Sequence, residues 1–265
     1  MAKKRKKLGF ALGAGGSRGV AHIGFIKAME EADIKADFVA GTSMGSVVGA
    51  CYAAGYTADF MKSEIDKLKM SDIFDLSFNP LFDGAILKSN KMRNKIATYF
   101  EKTPTFEQLK IPFSCVAVDL NCGELKIFSG KEEVAEGVAA SSTIPGIFKP
   151  YKKDDMLLVD GGIKCRVPVN LVRDMGADVV VAVDVLGRVR PERKRYNLVS
   201  LLLRTFDVMD AEIARHKLSD EQPDIELHPD LGDMVQYKFK GMQMAYEQGY
   251  EIGKQNVDTI KKLLI

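Results

Sequence analysis

The segment DVVVAVDV, residues 178–185, sets five apolar residues side by side between two aspartates. A strand with one wet face alternates polar and apolar residues. One that is apolar throughout has to be covered on both faces, as in a parallel sheet flanked by helices. Further short β-rich runs are LGFAL (8–12), DFVA (37–40), FSCVAVDL (113–120), MLLVD (156–160) and DIELH (224–228). Segments of helical period are expected between them at 19–32, 44–54, 58–69, 89–101, 131–140, 169–175, 197–217 and 241–263. This alternation predicts an α/β fold with a mainly parallel central sheet. ELKIFS (124–129) is expected to pair antiparallel with the strand before it, through the NCG turn. In the last two helices apolar residues recur at spacings of three and four, for example Leu198, Leu201, Leu202 and Met209, which predicts packing against the sheet.

A chain of 265 residues, 46% apolar and 28% charged, can bury one generous core, so residues 8–265 are expected to form one domain behind a basic tail at 1–7. A net charge of +2 gives no ground for nucleic-acid binding. The tail KKRKKL is a solvated terminus or a contact for anionic head groups. No apolar run reaches the length of a spanning helix and the start lacks a signal-like apolar core, so a cytoplasmic protein is expected. Cys51, Cys115, Cys122 and Cys165 show no CxxC pairing and are expected to be reduced thiols. Residues 70–90 break periodicity and carry Phe74, Phe78, Leu81 and Phe82 around a proline. Buried loop packing and an apolar rim around a lipid entrance both fit that pattern.

GTSMG, residues 41–45, follows the run DFVA and opens the small-residue helix SVVGACYAAG. In a strand-turn-helix setting G-x-S-x-G describes a nucleophile elbow, a turn so sharp that side chains two positions either side of the serine would collide. Gly41 and Gly45 meet that need around Ser43, and the helix N-terminus favours negative charge developing there. A purely structural N-cap is the competing reading.

A second strand-to-helix turn, LGAGGSRG at 12–19, fails as a phosphate loop, since Val20 and Ala21 stand where a Walker lysine and hydroxyl belong. It fails as a dinucleotide fingerprint too, because a G-x-G-x-x-G started at Gly13 ends on Arg18. What remains is a turn whose backbone N–H groups at Gly15 and Gly16 can face an anion, which is what an oxyanion hole requires.

A serine hydroxyl needs a base. Of the three histidines, His22 lies on the helix after the glycine loop, and the order Ser…Asp…His would suit His216 or His228 as a triad base, yet neither sits in a glycine-bearing turn of catalytic type. Among the strand-end carboxylates Asp119, Asp160 and Asp184, only Asp160 is followed by two glycines, Gly161 and Gly162, which would let it approach another turn closely.

Taken in order, GAGGSRG, GTSMGS and DGG resemble the bacterial branch of the patatin-like phospholipase family. AASSTIPGIFKP (139–150) and the VAVDLNCGELKIF strand pair are also similar, so the likeness runs from about residue 8 to the C-terminus. The resemblance implies a three-layer α/β/α sandwich, a Ser–Asp dyad without histidine, and hydrolysis of acyl esters in lipids, with neither metal nor cofactor. Carried onto this chain, it makes Ser43 the nucleophile, Asp160 the base, and Gly15 and Gly16 the oxyanion hole, with Arg18 at the basic position beside them. Ala14 departs from the pattern, standing where the family usually has the first of three glycines. Ser141, Ser142 and Pro145 match a block near the family's site. The partner implied is a lipid or small ester met transiently at a membrane or micelle surface. Acyl transfer on the same dyad, and lipid binding without turnover, are the alternative readings.

Overall fold

The computed structural model describes residues 5–69, 72, 75–76, 85–88, 90–100, 104–186, 195–236 and 240–265. Phe74, Phe78, Leu81 and Phe82 lie outside the described residues. Eleven strands are described: β1 Leu8–Leu12, β2 Phe38–Thr42, β3 Asp75–Leu76, β4 Ala85–Lys88, β5 Phe113–Asp119, β6 Glu124–Phe128, β7 Gly146–Phe148, β8 Tyr151–Lys153, β9 Met156–Asp160, β10 Val179–Val183 and β11 Ile225–Leu227. The helices described are α1 Val20–Glu31, α2 Met44–Ala54, α3 Ala58–Lys67, α4 Asn90–Tyr99, α5 Val134–Ser141, α6 Val169–Asp174, α7 Leu198–Glu221 and α8 Met242–Leu263.

The main sheet runs β11-β10-β1-β2-β5-β9-β8, with β6 also on β5. From β11 to β5 every pairing is parallel. Along these strands alternate residues enter different cores. In β1, Leu8, Phe10 and Leu12 join the larger cluster with α1, α2 and α5, while Ala11 joins Val169 and Val172 of α6 on the opposite side. In β10, Val179, Val181 and Val183 face the first cluster, and Val180 and Ala182 the second. Two covered faces explain the unbroken apolar runs and make three layers, α/β/α.

β5 positions the site. It pairs with β2 through residues 113–116, with β9 through 117–119 and with β6 through 115–119. A strand has two edges, and β6 overlaps both other partners, so β2 and β9 share the edge that β6 does not occupy. They run towards each other along it. Thr42 stands opposite Val116 and Asp160 opposite Ala117, so the C-terminal ends of β2 and β9 meet head to head. MLLVD is thus antiparallel to its neighbours on both sides. β6 forms the expected hairpin, with Gly123 at φ 73° in the NCG turn.

Sequence periodicity misplaces the last two helices. α7 buries Ala214 and Leu218, but Leu198, Leu201, Leu202 and Met209 are 73, 50, 51 and 53% exposed, so the residues expected to meet the sheet face outward. α8 packs onto α1 instead of onto the sheet, because α1 already fills that face through Phe10–Phe25 contact at 4.9 Å. The two helices approach closely at Gly24 and Gly249: a Cβ would sit 2.0 Å from Tyr246 O at the first and 1.9 Å from Ala21 O at the second. No helix among the described residues is long and apolar enough to cross a membrane.

Candidate active site

Ser43 occupies the corner between β2 and α2 with φ 55° and ψ −124°, a conformation that side chains rarely adopt. The surrounding glycines are there for lack of space. A Cβ on Gly41 would come within 2.4 Å of Gly45 O, and one on Gly45 within 2.1 Å of Leu12 O. The Ser43 N–H donates to Ser141 Oγ at 2.9 Å, and the adjoining Thr42 Oγ1 donates to Cys165 O at 2.9 Å. Ser141→Ala would leave a buried N–H unpaired beneath a strained residue. It is expected to cost about 1–3 kcal/mol of stability, read by urea unfolding.

The head-to-head strand ends bring Ser43 Oγ to Asp160 Oδ2, where the hydroxyl donates at 2.5 Å. The other carboxylate oxygen, Oδ1, accepts from Gly162 N–H at 2.8 Å. A Cβ on Gly161 would lie 2.4 Å from Val116 O, so the DGG turn can nest against β5 only with glycine there. Burial pushes the Asp160 carboxyl up from 3.8 to about 6, against the opposing pull of its hydrogen bonds from Ser43 and Gly162. Its distance from water is what keeps it basic enough to accept a proton near neutrality.

Beside this pair lies the turn after β1. Gly13 N–H donates to Val183 O, Ala14 N–H to Arg166 O, Ser17 N–H to Gln236 O and Arg18 N–H to Gly15 O. Within 13–18 the amides of Gly15 and Gly16 are the two that find no backbone acceptor among the described residues. A cleft beside them is lined by Gly15, Gly16, Ser43, Ile144, Asp160 and Phe206, with Arg166 and Asp210 at its side. Gly16 takes φ 51°, and a Cβ there would strike Gln236 O at 2.3 Å. Ala14 keeps a side chain where the resemblance expects glycine, and it touches the cleft as well.

Arg18 departs from expectation. Its guanidinium donates to Met234 O at 2.7 Å and to Leu186 O at 3.1 Å, so it holds the turn from behind and is not part of the cleft lining. The histidines are engaged elsewhere. His22 Nε2–H donates to Gly13 O at 2.8 Å, and burial lowers its pKa to about 4. His216 pairs with Glu212 on an exposed turn of α7. His228 lies against Asp184 and Glu226, and hydrogen bonding to Asp184 lifts it to about 9. Asp119 accepts from Asn121 N–H in the β5–β6 turn and from Leu157 N–H of β9.

Arg166 escaped the reading of the sequence. It is 1% exposed, donates to Ala14 O at 2.8 Å and to Asp210 Oδ2 at 3.0 Å, and holds Nε 3.7 Å from Asp184 Oδ1. One buried cation thereby ties the glycine turn to α7 and to the end of β10. Its place six residues after Asp160 was the available signal; Asp210, mid-helix, offered none.

Among solved structures, VipD from Legionella pneumophila superposes with a TM-score of 0.56 at 15% identity, over 97% of this chain and 67% of that one. ExoU of Pseudomonas aeruginosa, in complex with SpcU, gives 0.51 at 13% identity over 99% and 53%. Both likenesses concern the fold. In sequence, an NTE family protein of Mycobacterium bovis is 34% identical over 181 residues, 68% of this chain and 49% of the relative. Human patatin-like phospholipase domain-containing protein 6 is 32% identical over 188 residues, 67% of this chain and 13% of its own. Lysophospholipase NTE1 of Coccidioides immitis is 31% identical over 182 residues, 68% and 12%. The chain spans about half the length of the mycobacterial relative and about an eighth of the other two. Residues 10–173 match the model of the patatin-like phospholipases, and with relatives at this identity over two thirds of its length the chain belongs to that family.

Proposed function

We propose that the protein hydrolyses carboxylic esters of lipids, lysophospholipids foremost, through an acyl-enzyme on Ser43 with Asp160 as its base. The observation that carries this reading is the 2.5 Å contact between a serine hydroxyl and a buried carboxylate, beside two backbone amides with no backbone acceptor among the described residues. Family membership and the named lysophospholipase relative supply the substrate class.

In the first half-reaction Asp160 takes the Ser43 proton as Oγ bonds to the ester carbonyl carbon. The carbonyl oxygen becomes an oxyanion, and the Gly15 and Gly16 N–H groups are the donors that would meet it. Collapse of the tetrahedral intermediate breaks the bond to the alcohol, which leaves with the proton held by Asp160. Water then repeats the sequence on the acyl-enzyme, returning Ser43 and releasing a fatty acid. The strained corner at residue 43 keeps Oγ presented throughout.

A fluorophosphonate should add one phosphonyl group to Ser43, located by peptide mass spectrometry, and abolish release of fatty acid from lysophosphatidylcholine. Full turnover with label on another residue would overturn the assignment. The pH profile follows from the base. Asp160 accepts a proton only when ionised, and its pKa is about 6, so kcat/KM should fall tenfold per unit below that value and level off above it. A profile flat to pH 5 would remove Asp160 from the role.

A further inference from the structure

α7 is built with two working faces. Inward, Phe206 and Asp210 line the cleft that holds Ser43, and Asp207 accepts a hydrogen bond from Gln236. Outward, Leu198, Leu201, Leu202, Thr205, Val208 and Met209 form one exposed stripe over three turns, with the five apolar members each about half exposed or more. Packing does not account for this face, and its extent exceeds what scattered surface residues produce. Charge specifies the occupant. Exposed Arg195 stands just before the helix, and the two acids between it and Glu212, Asp207 and Asp210, are both turned inward. In sequence, residues 188–194 add four cations against one acid. The outer face of this half-helix is thus apolar with a cationic end, the composition of an interfacial helix on anionic lipid.

We infer that the N-terminal half of α7 is a docking surface for an anionic phospholipid bilayer, which holds the cleft on the inner side of the same helix about one helix diameter from the membrane carrying its substrate. The inference rests on the lipid-ester reading above for its choice of bilayer over protein. The basic N-terminal tail is a poorer candidate for this contact. Arg5 is paired with Asp37 at the start of β2, the end of the sheet opposite the Ser43 corner.

Vesicles of equal parts phosphatidylcholine and phosphatidylglycerol, and of phosphatidylcholine alone, are the probes, read by cosedimentation. Leu201→Ser, Leu202→Ser and Met209→Ser together should reduce binding to the mixed vesicles about tenfold or more. Arg195→Glu, which leaves the helix itself untouched, should weaken binding to the mixed vesicles about fivefold and leave phosphatidylcholine binding unchanged. In both variants hydrolysis of water-soluble p-nitrophenyl butyrate should stay at the unsubstituted level. Equal vesicle binding by both variants and the unsubstituted protein overturns the inference. So does a concentration-dependent dimer that the triple variant abolishes with vesicle binding intact, which assigns the stripe to a second copy. If no ester is turned over but vesicle binding responds as described, docking stands and the hydrolase reading falls.

Discussion

Asp160→Asn is expected to lower kcat/KM by about 10⁴-fold on lysophosphatidylcholine, the scale on which serine hydrolases lose activity when the acid-base partner is disabled. An amide can still accept the Ser43 hydroxyl hydrogen bond, but it cannot take the proton. The same substitution is expected to stabilise the fold at pH 8. Asp160 has its pKa raised above the unfolded value of 3.8 to about 6, so the folded state binds the proton more tightly. Stability from that proton is full below about 3.8 and is lost as pH rises through about 6, leaving a buried ionised carboxylate as a standing cost. A neutral isostere removes the cost, so the melting temperature at pH 8 rises while activity vanishes. Thermal melts at pH 5 and pH 8 beside the kinetics check both halves. A loss of equal size in His228→Gln, with Asp160→Asn still active, would put the imidazole in the path instead.

Arg166→Met should cost about 3–5 kcal/mol of unfolding free energy, the usual penalty for removing one partner of a buried ion pair. Asp184 and Asp210 would remain buried without their shared cation, and Ala14 O would lose a donor. Asp210 already stands raised from 3.8 to about 6, with burial the largest cause and Arg166 opposing it. Without the guanidinium it takes up a proton more readily, so the destabilisation should be smaller at pH 5 than at pH 8. Adding Asp210→Asn to Arg166→Met should recover part of the loss at pH 8, as coupled neighbours do. Denaturant unfolding of the unsubstituted protein, Arg166→Met, Asp210→Asn and the double variant at both pH values measures it. Additive losses would mean that the two residues do not interact.

Much of the molecule was legible in the residues. Unbroken apolar runs gave β1, β5 and β10 because both faces of those strands are covered, a condition that local composition records. The corner at Ser43 was legible because a serine between two glycines at fixed spacing is what its steric crowding permits. Arg18 was expected beside the oxyanion loop and is there in the chain, but its guanidinium turns to the carbonyls of Met234 and Leu186. Direction of a long side chain depends on which acceptors the fold happens to bring up. The outer face of α7 misled for a related reason: an apolar stripe has the same period whether it meets a sheet or the outside. β7 and β8, each of three residues, are too short for any period to show.

By itself the sequence determined which segments become strands, where the chain must turn on glycine, and which family the chain resembles, since each depends on neighbours a few positions apart. Only the tertiary structure decided that β9 runs against β5 on the edge it shares with β2. Ser43 and Asp160 are 117 residues apart, and their contact exists because two strand ends converge at Val116 and Ala117. Pairing register is a long-range choice made by the whole core, and so is the burial that raises Asp160 and gathers Arg166 with two carboxylates.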